Sequence, residues 1–393
     1  MIYFTLISLH ETLDETHITL DLSEEEQQPT YNTQLFNYLS QTKKSIDLCI
    51  DQWDTHKKYT NSCEFIHTHI PGYKGCISKI NPLSRAFFKM IEIANMFDLC
   101  KSSNIMNSFH LAEGPGGFIE AIVYLRNSNF DNYCGMTLIN NDLNIPGWKK
   151  SQYFLDKYKD RVSIELGKDD TGDLYNPENF THCFENYANS KDFISADGGF
   201  DFSLNFNKQE NNALRLIYTE ICYALVMQKR GGNFVLKMFD LFLKASVDII
   251  YILSLAYETV MIMKPSTSRS ANSEKYIICK NFKLDNSSQI YEVFKTHLQT
   301  LYNTKKENIN IKNLLKIPIQ YNYLCDIKEL NSILGQHQLE TINSTLMLIE
   351  QPKKKEKLDN FIKQNMMYCV EWCEENNIPY HKNLNETNIF LHN

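Results

Sequence analysis

The chain has 393 residues, of which 43% are hydrophobic and 22% are charged, and this mixture excludes a collagen, a small disulfide-rich fold and a disordered tail. Its 40 Lys and Arg stand against 47 Asp and Glu, which gives a net charge of −7. Seven of the acids lie in residues 1–30, which contain no Lys or Arg, so the rest of the chain is balanced. A chain with balanced charge is not expected to bind nucleic acid through its overall charge, although its Lys and Arg residues can still be gathered in a local basic groove.

The first residues lack the basic start and the small-residue cleavage site of a secretory signal. The longest apolar stretch, residues 249–257, is bounded by Asp248 and Glu258. The 11 cysteines show no C-x-x-C spacing, which favours a reducing compartment over a disulfide framework. We therefore expect an intracellular protein that is neither secreted nor membrane-spanning.

Residues 1–80 are expected to form an N-terminal extension with an acidic start. Between residues 81 and 285, short β-type runs alternate with longer helical runs, which predicts an α/β domain with a mostly parallel sheet covered on both faces. The predicted helices are 84–99, 118–126, 177–187, 209–229 and 246–256. The predicted strands, about seven in all, are 108–113, 133–139, 162–166, 192–197, 233–239, 259–264 and 275–280.

The last predicted strand follows Glu274, and we expect it to enter the sheet antiparallel beside the strand at 259–264. After residue 285 the pattern is helical and polar and shows no strand runs. Residues 286–393 are therefore predicted to be a helical C-terminal extension that packs against the sheet domain.

A glycine-rich turn follows the first predicted strand of the sheet. Glu113, Gly114, Pro115, Gly116 and Gly117 separate this strand from a helix, and such a turn lets a ligand approach the amides at the helix N-terminus. The spacing is not G-x-G-x-x-G, and residues 134–137 supply no acid for a dinucleotide ribose. The pattern favours a nucleoside-like cofactor over a dinucleotide, and a tight turn without a ligand stays open.

Four charged residues lie at positions that the predicted fold can bring together. Asp197 and Lys237 lie at the ends of two predicted strands, and Glu274 lies just before the start of a third. Lys89 lies on the helix that precedes the first strand of the sheet domain. Open α/β sheets bind ligands at one edge, so these four side chains can converge there.

The segments around these residues resemble those of the FtsJ-like, or RrmJ-like, 2′-O-ribose methyltransferases, which carry a K-D-K-E tetrad beside an S-adenosylmethionine (SAM) site. ADGGF, K-x-F-D-L-F, K-P-x-T-S-R-x-A-N-S-E-K-Y and GDLYNPENF are similar to the mRNA cap-1 branch of that family. The resemblance covers about residues 80–283 and implies a Rossmann-like SAM-dependent methyltransferase sheet.

The resemblance also implies roles for individual residues. The tetrad would be Lys89, Asp197, Lys237 and Glu274, and no metal is implied. SAM would be bound by Glu113, Gly114, Pro115, Gly116, Gly117, Phe118, Asp173 and Leu174. RNA would be contacted by Ser84, Asn211, Asn212 and Asn272.

Methyl transfer to a ribose 2′-hydroxyl needs close alignment of the two reacting atoms and a base for the hydroxyl proton. A lysine can accept that proton only when neutral, and burial and a second cation both lower a lysine pKa. We therefore expect Lys237 to be the general base, with Lys89 as the neighbouring cation and with Asp197 and Glu274 orienting the two ammonium groups and the ribose.

Further residues are candidates for an RNA groove or a metal site. The basic candidates for the groove are Arg85, Lys149, Lys150, Lys264, Arg269 and Lys275, and Trp148 and Phe200 could stack on a base; surface charge and core packing are the alternatives. Cys63, His67, His69 and Cys76 include zinc-ligand types, but their spacing is not a standard structural one. Cys369 and Cys373 flank Trp372 and are expected on a packed helix face.

The expected function is methylation of the first transcribed nucleotide of capped mRNA, with the capped 5′ end as partner and the capping or transcription machinery nearby. The alternatives are a methyltransferase of ribosomal or transfer RNA and an inactive RNA-binding scaffold. The Lys and Asn richness points to an AT-rich genome such as that of a large DNA virus. The protein would then be cytoplasmic, in a viral factory or virion, and nuclear if it is cellular.

Overall fold

A computed structural model describes residues 2–101, 104–140, 147–199, 208–304, 309–350 and 355–382. Its strands are β1 (Ile2–Thr5), β2 (Ile18–Ser23), β3 (Asn107–Leu111), β4 (Asn132–Met136), β5 (Val162–Glu165), β6 (Lys191–Ala196), β7 (Gln228–Met238), β8 (Tyr257–Lys264), β9 (Lys275–Phe282) and β10 (Asn310–Leu315). Its α-helices are α1 (Thr33–Asp47), α2 (Ile50–His56), α3 (Ala86–Met96), α4 (Gly117–Arg126), α5 (Gln152–Lys157), α6 (Pro177–Tyr187), α7 (Gln209–Met227), α8 (Lys244–Ala256), α9 (Ser288–Asn303), α10 (Tyr321–Glu350) and α11 (Lys355–Glu375).

Eight strands form the central sheet in the order β1-β8-β9-β7-β6-β3-β4-β5. Five adjacent strands, β7, β6, β3, β4 and β5, run parallel to one another, and β9 lies antiparallel between β7 and β8. The α/β class, the seven predicted strands and the antiparallel entry of the last one are confirmed. Parallel strands linked by helices leave their carboxyl ends at one edge, and this edge carries the candidate site.

Two features of the sheets were not predicted. β1 pairs with β8, with Ile2 opposite Lys264 and Thr5 opposite Met261, and it adds an eighth strand at the edge of the sheet. β10 pairs with β2 in a separate two-stranded sheet. The expectation that no strand follows residue 285 was therefore wrong, because β10 is six residues long and depends on a partner almost 300 residues away in the chain.

The helices that cover the sheet are apolar on the faces that they bury. In α7 the predicted stripe of Leu214, Ile217, Ile221 and Leu225 is almost completely buried, and every residue of α8 after Lys244 is buried. A helix that is apolar on all sides must lie inside the molecule. In this chain α8 is covered by the β2–β10 sheet, where Asp248 accepts a hydrogen bond from the Leu314 amide at 3.0 Å.

The segments that flank the sheet domain are attached to it and to each other by buried polar contacts as well as by apolar packing. Asn331 of α10 donates to the Leu241 carbonyl at 2.8 Å, and Asn365 of α11 donates to the Tyr59 carbonyl at 3.0 Å. Buried polar groups persist where they are hydrogen-bonded, so these contacts fix how the helices dock. None of the helices in the described part of the chain is both long enough and apolar enough to cross a membrane.

Candidate active site

Three neighbouring strands of the sheet meet at the edge where the four tetrad candidates lie. Asp197 follows the last residue of β6, Lys237 is the last but one residue of β7, and Glu274 precedes the first residue of the antiparallel β9. Lys89 reaches the same edge from the first turn of α3. The structure therefore brings the four predicted side chains together.

The tetrad consists of two ion pairs. The Lys89 Nζ atom lies 2.6 Å from Glu274 Oε1, and the Lys237 Nζ atom lies 3.2 Å from Asp197 Oδ1. Lys237 also donates to the Asp197 main-chain carbonyl at 2.7 Å. Between 6% and 16% of each of these side chains is exposed, so the pairs are largely shielded from water but remain accessible to a ligand.

Tyr276 links the two pairs. Its hydroxyl lies 3.1 Å from Asp197 Oδ1 and 3.3 Å from Glu274 Oε1, and Ser268 donates to the same Glu274 oxygen at 2.8 Å. No role was predicted for Tyr276 from the sequence. A signal was present, because residues two apart in an extended segment share a face, so that Tyr276 must lie on the same side of the sheet as Glu274.

The charges of the cluster set its pKa values. Burial lowers the pKa of Lys89, with Glu274 opposing that shift. Burial alone would lower the pKa of Lys237 too, but the Asp197 and Glu274 carboxylates outweigh burial and raise it. Burial would raise the pKa of Glu274, but Lys89 and Lys237 hold it well below its usual range. The expected lowering of the Lys237 pKa was therefore wrong for the protein alone, because two acids surround this lysine.

Glu220 on α7 is a further acid that the sequence analysis missed. Its Oε1 atom accepts a hydrogen bond from the Gly198 amide at 3.1 Å, and its buried Oε2 atom has no hydrogen-bond partner among the described residues. A Cβ atom on Gly198 would lie 2.1 Å from Glu220 Oε1, so only glycine fits beside this carboxyl group. Burial raises the pKa of Glu220 to about 8.

The glycine-rich turn forms a cradle at the start of α4. Gly116 has φ +104°, a left-handed conformation that favours glycine. Glu113 Oε1 accepts hydrogen bonds from the Phe118 and Ile119 amides at 2.6 and 3.3 Å, while Glu113 Oε2 is buried without a hydrogen-bond partner in the described part of the chain. Burial raises the pKa of Glu113 well above its usual range, so the unpaired oxygen suits a ligand that brings a positive charge or a donor, such as an ammonium or hydroxyl group.

The predicted SAM-binding residues differ in their surroundings. Phe118 is fully buried and packs 5.9 Å from Tyr276 between ring centroids, so it supports the turn from behind. Asp173 is half-buried beside the end of β4, where Gly172 packs against the Thr137 carbonyl. Burial raises the pKa of Asp173, whose carboxylate accepts from the Tyr175 amide at 2.9 Å.

Leu174, the next residue, is buried in the core. Because its side chain faces away from the solvent, only its main chain is available to a ligand. The glycine cradle, the orphaned oxygen of Glu113 and the acid at the end of β4 together fit a small ligand with several polar groups, and SAM has such groups.

The predicted RNA-contacting residues differ in their contacts. Ser84 packs its hydroxyl against Gly117 of the cradle, and Asn272 is held by Lys264, whose Nζ atom donates to its carbonyl at 2.7 Å. Asn211 donates to the Asn310 side chain, and Asn212 is exposed on α7. The same end of α7 reaches the segment before β9, because Gln209 accepts a hydrogen bond from Ser273, next to Glu274, at 3.0 Å.

Part of the predicted basic groove was wrong. Lys264 and Lys275 are buried, and burial lowers the pKa of Lys264 to about 7. Arg269 donates to both Glu64 carboxylate oxygens, at 3.0 and 2.6 Å, and so anchors the N-terminal segment. Trp148 lies against Gly116 and Gly135, and Phe200 lies outside the described residues.

Within the described ranges, no group of three or more His, Cys, Asp or Glu side chains is arranged to hold a metal ion. This includes Cys63, His67, His69 and Cys76. Cys369, Trp372 and Cys373 are buried in the core, as predicted for a packed helix face.

Comparison with known proteins agrees with this geometry. The family model described as FtsJ-like methyltransferase matches residues 82–282. A Danio rerio "Cap-specific mRNA (nucleoside-2′-O-)-methyltransferase 2" is 31% identical over 259 residues, 62% of this chain and 34% of that protein. The Mus musculus protein of the same name is 29% identical over 353 residues, 86% of this chain and 44% of its own.

A Mus musculus "Cap-specific mRNA (nucleoside-2′-O-)-methyltransferase 1" is 33% identical over 251 residues, 57% of this chain and 29% of that protein. The chain thus spans less than half the length of the curated relatives described here.

Proposed function

This chain belongs to the FtsJ-like methyltransferase family, and from that premise we propose that it methylates the 2′-hydroxyl of the first transcribed nucleotide of capped mRNA, with SAM as the methyl donor. One observation carries the proposal: the two ion pairs Lys89–Glu274 and Lys237–Asp197, joined by the Tyr276 hydroxyl, lie at the same sheet edge as the glycine cradle. The relatives named as cap-specific mRNA methyltransferases support the choice of a capped acceptor.

SAM supplies a methyl group on a positively charged sulfur atom, which makes that carbon open to attack by an oxygen. The protein must hold the ribose hydroxyl close to it and remove the hydroxyl proton. Glu113 and the amides that follow it form the cradle, and Asp173 lies at the end of β4 where the nucleoside part would extend.

We assign to Lys237 the removal of the proton from the ribose 2′-hydroxyl. Asp197 follows β6, which pairs with β3, the strand that leads into the cradle, whereas Glu274 precedes β9 on the far side of β7. The Lys237–Asp197 pair is therefore the one next to the strand that carries the cradle. Lys89 is paired with Glu274 on the other side of Tyr276 and is placed to orient the ribose.

In the protein alone Lys237 holds a proton, since two carboxylates raise its pKa. A positive charge beside it has the opposite effect on a lysine pKa. The sulfonium of SAM would be such a charge, and we therefore expect Lys237 to become a competent base only after the donor has bound. This coupling would also suppress deprotonation in the absence of a methyl group to transfer.

The experiment compares RNAs of equal length and sequence that carry an m7GpppN, a GpppN or a triphosphate 5′ end. Incubation with methyl-labelled SAM should label the m7GpppN RNA far faster than the other two. Equal labelling of all three, or labelling only of folded ribosomal or transfer RNA, would assign the protein to another acceptor class. No labelling of any RNA, together with intact SAM binding and RNA binding, would assign it to the scaffold class.

An enzyme that acts on new capped ends must meet them where they are made. We therefore propose that it works beside the capping or transcription machinery, in the nucleus of a cell or in a cytoplasmic viral factory.

A further inference from the structure

A second groove opens on the helical side of the glycine cradle. It lies between the segment that precedes α3, helix α4 and helix α5, and its volume is about 520 Å³, within the usual range for ligand sites. None of the tetrad residues lines it. The groove is therefore distinct from the site of methyl transfer.

Aromatic side chains form much of this groove. Phe87 and Phe154 are buried and form its floor. Tyr124 packs edge-on against Phe87 with 41% of its surface exposed, and Tyr153 stands at the rim with 81% exposed. An exposed tyrosine ring held against a packed aromatic floor is a surface on which a flat ring can stack.

Cations line the same groove. Lys150 and Lys157 are among its lining residues, and residues 147–161 hold five Lys or Arg against two Asp in a chain whose net charge is −7. The acid among the described lining residues is Glu120, whose carboxylate accepts the Leu83 amide at 2.7 Å and whose pKa is raised by burial. Little negative charge therefore opposes the lysines.

The groove begins at the cradle itself. Leu83, one of its lining residues, lies within contact distance of Gly116, and so does Trp148, which precedes α5. Ser151 at the start of α5 donates to the Pro115 carbonyl. Along α4 the distance from Gly117 to Tyr124 is about 10 Å. A chain that enters beside the cradle can thus continue into the groove without leaving the surface.

From this juxtaposition we infer that the groove binds the transcript downstream of the methylated nucleotide as a single strand, with bases stacked on Tyr124 and Tyr153 and phosphates contacted by Lys150 and Lys157. The inference rests on the proposed function, because it takes RNA as the substrate. The combination of exposed ring faces with spaced cations suits single-stranded nucleic acid, since every base has a stacking face and every nucleotide a phosphate.

The test measures binding of the full chain, by fluorescence anisotropy, to a single-stranded capped RNA of about 12 nucleotides and to a capped dinucleotide. Tyr153→Ala should weaken binding of the longer RNA about tenfold relative to its effect on the dinucleotide. Tyr153→Phe keeps the ring and should bind nearly as the parent does. Tyr321→Ala removes a tyrosine that is 76% exposed on α10 and serves as the matched control.

The double variant Lys150→Ala with Lys157→Ala tests the phosphate contacts. Its plot of log affinity against log salt should be shallower by about 1.4, or about 0.7 for each phosphate contact removed. Lys357→Ala, an exposed lysine on α11, should leave the slope unchanged.

Longer-RNA affinity that is equal in Tyr153→Ala and in the parent, or equal losses in the Tyr153 and Tyr321 variants, would overturn the inference. The inference would also be overturned if these residues bound a protein partner and not RNA. RNA binding is measured without methyl transfer, so the two proposals can fail separately. If the parent chain does not methylate caps but Tyr153→Ala still weakens RNA binding, the proposed function is refuted and the groove inference stands.

Discussion

Lys237 and Tyr276 stand directly opposite one another on β7 and β9. Residues opposite one another in an antiparallel pair present their side chains on the same face. The register of these two strands therefore places the lysine ammonium and the tyrosine hydroxyl beside the same Asp197 oxygen, which lies 3.2 Å from the first and 3.1 Å from the second.

Tyr276→Phe removes the hydroxyl that joins the two ion pairs and leaves the ring in place. Hydrogen bonds to charged groups contribute about 1.5–3 kcal/mol each, so we expect kcat for methyl transfer to fall roughly tenfold to a hundredfold, with SAM affinity retained. Tyr257→Phe is the matched control, because this buried tyrosine on β8 bonds the neutral Gln228 side chain at 3.0 Å. Equal kcat values in the two variants would remove Tyr276 from the site.

Lys237→Ala should lower kcat by roughly a hundredfold to ten-thousandfold, the contribution expected of a general base. SAM binding, measured by titration calorimetry, should persist. Lys237→Arg should fail as well, because a guanidinium stays charged at any working pH. An active arginine variant would refute the role of Lys237 as the base.

The pH dependence of the reaction tests the same residue. A base must be deprotonated to act, and the pKa of Lys237 in the protein alone is raised above its ordinary value. The value of kcat/KM for SAM, which reports the chain before the donor binds, should therefore rise about tenfold per pH unit and still be rising near pH 9. The value of kcat should level off at a lower pH, because the bound donor adds positive charge. A plateau of kcat/KM below pH 8 would contradict this assignment.

Asp173→Ala tests the SAM site at the end of β4. On the proposed assignment, the loss of this half-buried carboxylate should weaken SAM binding about tenfold, the value of one charge-assisted hydrogen bond. Asp173→Asn keeps an acceptor for the Tyr175 amide and should show a smaller loss. Asp160→Ala, an exposed acid that follows α5, is the control; unchanged SAM affinity in the Asp173 variants would remove this residue from the site.

Glu220→Gln should change how stability depends on pH. The pKa of Glu220 is about 8 in the folded chain and about 4.3 in the unfolded chain, so the folded chain retains a proton that the unfolded chain has lost between these values. The free energy of unfolding contributed by this group therefore falls as pH rises from about 4.3 to about 8. Glutamine does not titrate and should remove that fall.

Urea unfolding at about pH 5 and pH 8 measures the effect. From about pH 5 to pH 8 the free energy of unfolding of the variant should rise relative to that of the parent by a few kcal/mol, as an order of magnitude. Glu356→Gln, exposed on α11, should show no such gain. Parallel pH dependence in parent and variant would show that Glu220 is not protonated in the folded chain.

The parallel part of the sheet and the convergence of the four tetrad residues could be predicted from the sequence. Both depend on local patterns: β3, β6 and the second half of β7 are short, largely apolar runs preceded or followed by helices, and parallel strands must end at one edge. A residue that closes such a strand, such as Asp197 or Lys237, can therefore be placed at that edge from the sequence pattern alone.

The remaining features depend on distances that the chain order does not show. The four residues of β1 find their partners in β8 about 260 residues later, and Glu220 reaches Gly198 from the middle of α7. Lys264 and Lys275 looked like groove residues, but they end β8 and begin β9 in the interior of the molecule. The pKa of Lys237 depends on how close two carboxylates come to it, and only the assembled fold determines that.

The central claim is that the tetrad directs a methyl group to one ribose oxygen of a capped RNA. The most direct test supplies m7G-capped RNAs that are identical except for a 2′-deoxy residue at the first or at the second transcribed nucleotide, with methyl-labelled SAM as donor. The deoxy residue at the first nucleotide is expected to abolish labelling, and the one at the second is expected to leave it intact. Labelling that survives the first substitution would contradict it.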